Sequence, residues 1–193
     1  MAQSVALRRP FLADLLRRSD ASLTTQVVGV VAFAALAALG AQARVYLWEV
    51  PITMQTLAVY GAGLVIGGRN GFLAMALYLA VGLVLPVFAG AGQGLSYFAS
   101  APSAGYLLAY PLVALLVGAL TEQRRTFVAS GLAVLAGSVL LFTVGVTWLH
   151  FAAGHTTWTE SIVKGWLMFV IWDMAKVWLV AGGFAGLRKI TGA

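Results

Sequence analysis

The 193-residue chain is 61% hydrophobic and 9% charged, with a net charge of +6 and no cysteine. A soluble domain carries about 25% charged residues, so this chain cannot cover itself with polar groups in water, and its favourable solvent is lipid. Disulfides and thiolate metal sites are excluded, and the cations sit at the ends of apolar runs instead of along one polar face, which excludes a nucleic-acid footprint.

Residues 1–22 form a basic N-terminal segment. Phe11, Leu12, Leu15 and Leu16 recur at helical spacing beside Arg17 and Arg18, the pattern of a helix lying on a membrane surface; a basic tail is the alternative. Residues 21–43, 50–68, 70–121 and 126–159 contain no Asp, Glu, Lys or Arg. A transmembrane helix needs about 20 mostly apolar residues. The fold class expected is an all-α integral membrane protein, a single bundle of six transmembrane helices within residues 23–190. The helices are expected at about 24–43, 55–67, 71–85, 105–120, 126–150 and 161–187. Gly67-Gly68-Arg69-Asn70-Gly71 separates the second from the third, Pro86 ends the third, and Pro111 is expected to kink the fourth. Ala41-Gln42-Ala43 mimics a signal-peptide cleavage site. The apolar run before it, Leu23 to Leu39, is longer than the about 7–15 residues of a signal core, and more membrane segments follow, so the run is expected to be retained.

Six spans put both termini on one side, together with Arg8, Arg9, Arg17, Arg18, Arg69, Arg124, Arg125, Arg188 and Lys189; Arg44 and Lys164 fall on the other. That bias places the termini in the cytoplasm. Tyr46, Trp48, Tyr97, Trp148, Trp158 and Trp166 fall near the opposite face, as an interfacial belt does.

Four features are candidates for function. Asp173 and Lys176 stand in the apolar last helix, where each charge costs about 2.5–3.5 kcal/mol on the insertion scale. Their i, i+3 spacing puts them on one face within reach of each other. A structural ion pair is one explanation, but two apolar residues would replace it at little loss, and intramembrane charges mark solute sites or proton relays. In Val50-Pro51-Ile52-Thr53-Met54-Gln55-Thr56, Pro51 makes an extended entry, Thr53 is expected to cap the next helix, and Gln55 can turn an amide into the bundle. The uncharged, Gly-rich stretch from Pro86 through Gly90, Gln93 and Ser96 to Tyr106 is either a ligand-covering loop or a connector. Ala34 with Ala38, and Ala37 with Ala41, set small residues four apart, which lets a helix of the bundle or a partner approach closely. His150 and His155 read as interfacial. No G-x-x-x-x-G-K-[ST], nucleophile elbow or zinc motif occurs, so neither an enzyme nor a metal or other cofactor is expected.

In combination these residues resemble the BioY family. The resemblance is carried by residues 50–56, the glycines after the second helix, Tyr78 with Gly82 and Pro86-Val87-Phe88-Ala89-Gly90, Gly105-Tyr106-Leu107, and Asp173-x-x-Lys176. It runs in order over about residues 25–187. It implies a biotin-binding S component of an energy-coupling-factor transporter, multi-pass in a bacterial inner membrane. Such a component takes biotin from outside and usually works with a membrane coupling protein (EcfT) and ATPase subunits; self-association stays open. It further implies that Asp173 and Lys176 contact biotin, with Gln55, Gly90, Gln93, Tyr106, Tyr78 and Trp172 around them, and that the loop from Pro86 to Gly105 closes over the ligand. The family can have a polar residue where this chain has Gly90, and Gln93 is then the expected substitute. The stripe of Ala34, Ala37, Ala38 and Ala41 resembles the surface presented to EcfT. The chemistry suits biotin: a carboxylate accepts from ureido N–H groups, an ammonium donates to the ureido carbonyl or the tail carboxylate, and aromatic rings line the bicycle. A secondary transporter or proton-coupled channel using Asp173 and Lys176 is the alternative.

Overall fold

The computed structural model describes Arg17 and residues 21–190; the amphipathic pattern at Phe11 to Leu16, and Arg8, Arg9 and Arg18, lie outside the described residues. Helix α1 (Leu23–Gln42) starts where the Ser22 side chain accepts from the Thr25 N–H at 3.2 Å. It leads into a small antiparallel hairpin, β1 (Arg44–Tyr46) and β2 (Pro51–Thr53), in which Arg44 pairs with Thr53 and Tyr46 with Pro51. Pro51 fits there because the first residue of a short strand need not donate to a ladder.

Helix α2 (Gln55–Gly82) is folded in two. Gly67 has φ +81° and ψ 172°, a conformation open to glycine alone, and reverses the chain. The two arms, 55–66 and 68–82, lie side by side: Gln55 Nε2 donates to Tyr78 Oη at 2.7 Å, and a Cβ on Gly71 would sit 3.2 Å from the Gly63 nitrogen. Residues 83–103 carry a 3-10 turn (Ala89–Ala91) and the short helix α3 (Gly94–Ser100), held down by Phe88 among Tyr78, Tyr97 and Phe98. Helix α4 (Ala104–Leu120) turns 99° from α3 and runs through Pro111 without a break. Helix α5 (Phe127–Ala152) is capped by Thr126, whose side chain accepts from the Ala129 N–H.

The last apolar stretch, expected as one helix over 161–187, is broken. Helix α6 (Trp158–Gly165) stops, a 3-10 turn (Leu167–Phe169) intervenes, and helix α7 (Val170–Ile190) follows. The Gly165 carbonyl accepts from Tyr106 Oη at 2.7 Å, and Phe169 N–H turns to the Trp166 carbonyl at 2.8 Å. A side chain from α4 has thus taken the acceptor that would have continued the ladder.

Among the described residues four helical stretches are long and apolar enough, by length and composition, to cross a membrane: Leu23–Gln42, Gln55–Gly82 (which doubles back at Gly67), Phe127–Ala152 and Trp158–Arg188; the bent pair α3 and α4 makes a fifth. Leu23, Val31, Val128, Leu132, Ile171 and Leu179 point outward and exposed, an apolar exterior suited to lipid.

One end of the bundle gathers cations. Arg17 donates to the carbonyls of Leu64 (2.9 Å) and Gly118 (2.7 Å), near the ends of the first α2 arm and α4. Helix C-termini leave such carbonyls unpaired and favour a cation. Arg17, Arg69, Arg125 and Glu122 surround one depression there, and Arg188 donates to the Arg125 carbonyl. The hairpin, the 83–103 loop and α6 lie at the other end.

The alanine stripe of α1 packs largely within the chain. Ala37 and Ala41 are fully buried, Ala34 is buried and Ala38 half-buried. Gly40 of the same helix packs on the Gln55 backbone, and Gly61 meets the Phe33 ring, so this face of α1 lies on α2 of its own chain.

Candidate functional site

Beneath the hairpin lies a cavity with about 550 Å³ of empty space, the open solvent at its mouth included. Strand β2 forms one wall through Pro51, Ile52 and Thr53, and α4 another through Tyr106, Leu107 and Tyr110. Leu141 and Phe142 of α5 and Phe169 add apolar surface; Asp173, Lys176 and Trp172 come from α7, and Gln55 from the start of α2. A few polar groups in an apolar enclosure is the form of a site that recognises one orientation of one solute.

The two intramembrane charges are held separately. Asp173 is 3% exposed. Its Oδ1 accepts from Tyr60 Oη at 2.9 Å, and its Oδ2 accepts from Ser138 Oγ. Lys176 Nζ donates to the Thr53 carbonyl of β2 at 2.7 Å. The structural ion pair, one of the two explanations for these charges, is not formed: among the described residues neither is the other's salt-bridge partner, because each is claimed by a different neighbouring element.

A second polar chain runs from β2 to the 83–103 loop. Thr53 Oγ1 donates to Gln55 Oε1 at 2.8 Å, Gln55 Nε2 donates to Tyr78 Oη, and Tyr78 Oη donates to the Val87 carbonyl at 3.3 Å. Thr53 therefore does not cap α2, whose N-cap position is Met54 with no side-chain cap. Its hydroxyl fixes the orientation of the Gln55 amide instead.

Of the residues singled out in the sequence, Asp173, Lys176, Gln55, Tyr106 and Trp172 meet at this one cavity. Tyr78 stands one hydrogen bond behind Gln55. Gly90 and Gln93 do not line it. Both are exposed, and Ala89 and Ser103 are the residues from their loop that reach the wall. Gly90 has φ +73°, and a Cβ there would come within 2.7 Å of Tyr46 Oη, so the hairpin occupies the space a side chain at 90 would need. Tyr60, Ser138, Tyr110, Thr53 and Ser103 were not singled out for the site. A buried hydroxyl in an apolar helix is the only signal that Tyr60 and Ser138 give in the sequence.

At the outer rim Lys164 Nζ bridges Glu49 Oε1 (3.0 Å) in the hairpin turn and Glu160 Oε1 (2.9 Å) on α6. Ser161 Oγ meets Nδ1 of both His150 (2.9 Å) and His155 (3.0 Å). The Glu49 carboxyl is held below the ordinary glutamate value, first by a backbone N–H of its own residue and then by Lys164 and His155.

Comparison with known proteins places the chain. The sequence profile of the BioY family matches residues 12–193. The chain belongs to the BioY family. The biotin transporter BioY of Thermotoga maritima is 33% identical over 167 residues, which are 84% of this chain and 94% of that protein. The probable biotin transporter BioY of Lysinibacillus sphaericus is 32% identical over 161 residues, 78% of this chain and 80% of that one. A solved structure described as the S-component for biotin from an ECF-type ABC transporter superposes with a TM-score of 0.77 at 24% identity, over 89% of this chain and 95% of that chain. That likeness concerns the fold alone, a membrane protein built of helices.

Proposed function

We propose that this BioY chain is a biotin carrier and not an enzyme: an S component that captures biotin from outside in the cavity under the hairpin and passes it to the cytoplasm. The observation that carries the reading is the cavity itself. A buried carboxylate, an ammonium and a primary amide face an apolar enclosure lined by tyrosines, phenylalanines and a tryptophan. Biotin offers the matching set: two ureido N–H donors and a carbonyl, an apolar thiophane, and a carboxylate tail. Asp173 accepts from the ureido N–H groups, and Lys176 and Gln55 donate to the ligand's oxygens. Phe142, Phe169 and Trp172 cover the bicycle. The names of the relatives point to the same solute.

The proposal extends to topology. The two arms of α2 count as two spans, giving six with α1, α4, α5 and α7. The cationic end around Arg17, Arg69, Arg125 and Arg188 faces the cytoplasm of a bacterial inner membrane, together with both termini. The cavity then opens outward beneath the hairpin and the 83–103 loop. No P-loop occurs in the chain, so concentrative uptake draws on partner ATPases, through EcfT, or on an existing gradient.

The test is equilibrium binding of labelled biotin to the purified chain, with dethiobiotin, lipoate, thiamine and riboflavin as competitors. Saturable binding displaced by biotin, weakly by dethiobiotin and not by the others supports the reading. Equal competition by an unrelated vitamin, or no biotin binding, overturns it.

A further inference from the structure

Two groups outside the cavity lining converge on its carboxylate. Tyr60 lies on the first arm of α2, Ser138 on α5 and Asp173 on α7, so three separate helices meet at one side chain. Tyr60 is fully buried and Ser138 is 3% exposed. Their hydroxyls take opposite oxygens, Tyr60 on Oδ1 at 2.9 Å and Ser138 on Oδ2. Ser138 departs from the habit of helical hydroxyls here. On the same helix Thr143 donates to the Val139 carbonyl and Thr147 to the Thr143 carbonyl, both at 2.7 Å. Such back-bonding is the default for a Ser or Thr with nothing better to satisfy.

A carboxylate offers about four acceptor positions on its two oxygens. With two filled from behind, one remains on each oxygen. The terminal torsion of an aspartate is broad, so an unheld carboxylate samples orientations that a ligand with two parallel N–H groups cannot use. Hydroxyls fixed on two packed helices remove that freedom before the ligand arrives. Recognition sites depend on such support, with groups held to about 0.5 Å.

The geometry points to Tyr60 and Ser138 as positioning residues for ligand recognition: acting through Asp173, they hold its carboxylate so that the free acceptor on each oxygen faces the cavity as a matched pair. This rests on the reading of the cavity as the biotin site, and deepens it.

The test is a double-mutant cycle on biotin affinity, run well below the melting temperature of every variant. Tyr60→Phe keeps the ring and removes the donor, and Ser138→Ala does the same with a small loss of volume. Each is expected to weaken biotin binding about three- to tenfold when Asp173 is present, the scale of one charge-assisted hydrogen bond shared between holding and binding. In an Asp173→Asn background the same two changes are expected to alter affinity by less than about twofold, since the orientation they supply is no longer used. Asp173→Glu, which shifts the carboxylate by one methylene, is the second background and serves where the Asn variant is not recovered folded. Equal fold-losses in the presence and absence of Asp173 overturn positioning and leave a packing role. An Asp173 variant that binds biotin as tightly as the wild type also overturns it, because nothing is then positioned. A wild-type chain that binds no biotin overturns the reading of the cavity itself, an outcome distinct from either.

Discussion

Replacing Lys176 with methionine should separate binding from stability. In the ligand-free chain the ammonium gains one charge-assisted hydrogen bond, to the Thr53 carbonyl at 2.7 Å. Such bonds contribute about 1.5–3 kcal/mol. Holding a lysine at the middle of a membrane helix costs about 2.5–3.5 kcal/mol on the insertion scale. The two nearly cancel, so Lys176→Met should change folding stability by no more than about 1 kcal/mol, in either direction. Asp173 keeps both of its hydroxyl donors in the variant and loses only the through-space charge of Lys176. Binding should respond differently. If the ammonium meets an oxygen of biotin, its removal forfeits about 1.5–3 kcal/mol, or roughly a 10- to 150-fold rise in Kd. Titration calorimetry and thermal unfolding on the same detergent preparation read both quantities. A Kd within about threefold of wild type removes Lys176 from the site. A stability loss large enough to account for the weakened binding refutes the cancellation. Asp173→Asn is expected to lose stability as well as affinity. Adding Lys176→Met to it should not restore stability, as it would if the two charges existed to neutralise each other.

The remaining predictions test the frame around the site. The chain has no cysteine of its own. Single cysteines near Gln93 and His155 should therefore react with an impermeant thiol reagent in intact cells, and those near Arg124 and Arg188 should not; the reverse pattern inverts the topology. A Cβ on Gly118 would lie 2.1 Å from the Gly68 nitrogen. Gly118→Ala should thus lower the melting temperature, with an overpacking cost of about 1–3 kcal/mol. Gly183→Ala, with nothing within 4 Å, is the control that should not lower it. Ala37→Leu should destabilise the isolated chain; a folded variant that only loses association with EcfT would return the stripe to a partner surface. Glu49 titrates below its ordinary value, so its hold on Lys164 is complete at neutral pH and is lost only as pH falls through that depressed value. Hydrogen exchange in residues 44–53, corrected for intrinsic rates, should rise as pH is lowered from neutral through that titration, and Glu49→Gln should remove the difference.

The parts of this molecule that could be read in its sequence are those where a residue type has few alternatives. Asp173, Lys176 and Gln55 stand out because charge and amide are costly in an apolar run, and all three prove to face one cavity. The reversal at Gly67 is visible for a similar reason, since three glycines and an asparagine within five residues favour a break. Small residues and hydroxyls carry no such constraint. Alanines four apart allow a close approach but do not say by whom, and here the neighbour is the chain's own α2. Ser138 and Thr143 are indistinguishable in sequence, each a hydroxyl in an apolar helix. Only the packing of α5 on α7 turns Ser138 to a carboxylate while Thr143 bonds its own backbone. The break at Trp166 depends in the same way on the Tyr106 hydroxyl reaching Gly165 from α4. These contacts join residues 59 and 35 positions apart. Local propensity cannot encode them, yet they decide which way the site's own groups face. The charges that announce the site can be read along the chain, while the hydroxyls that orient one of them come from other helices, so a recognisable pair such as Asp173 and Lys176 is evidence of a site before it is evidence of a geometry.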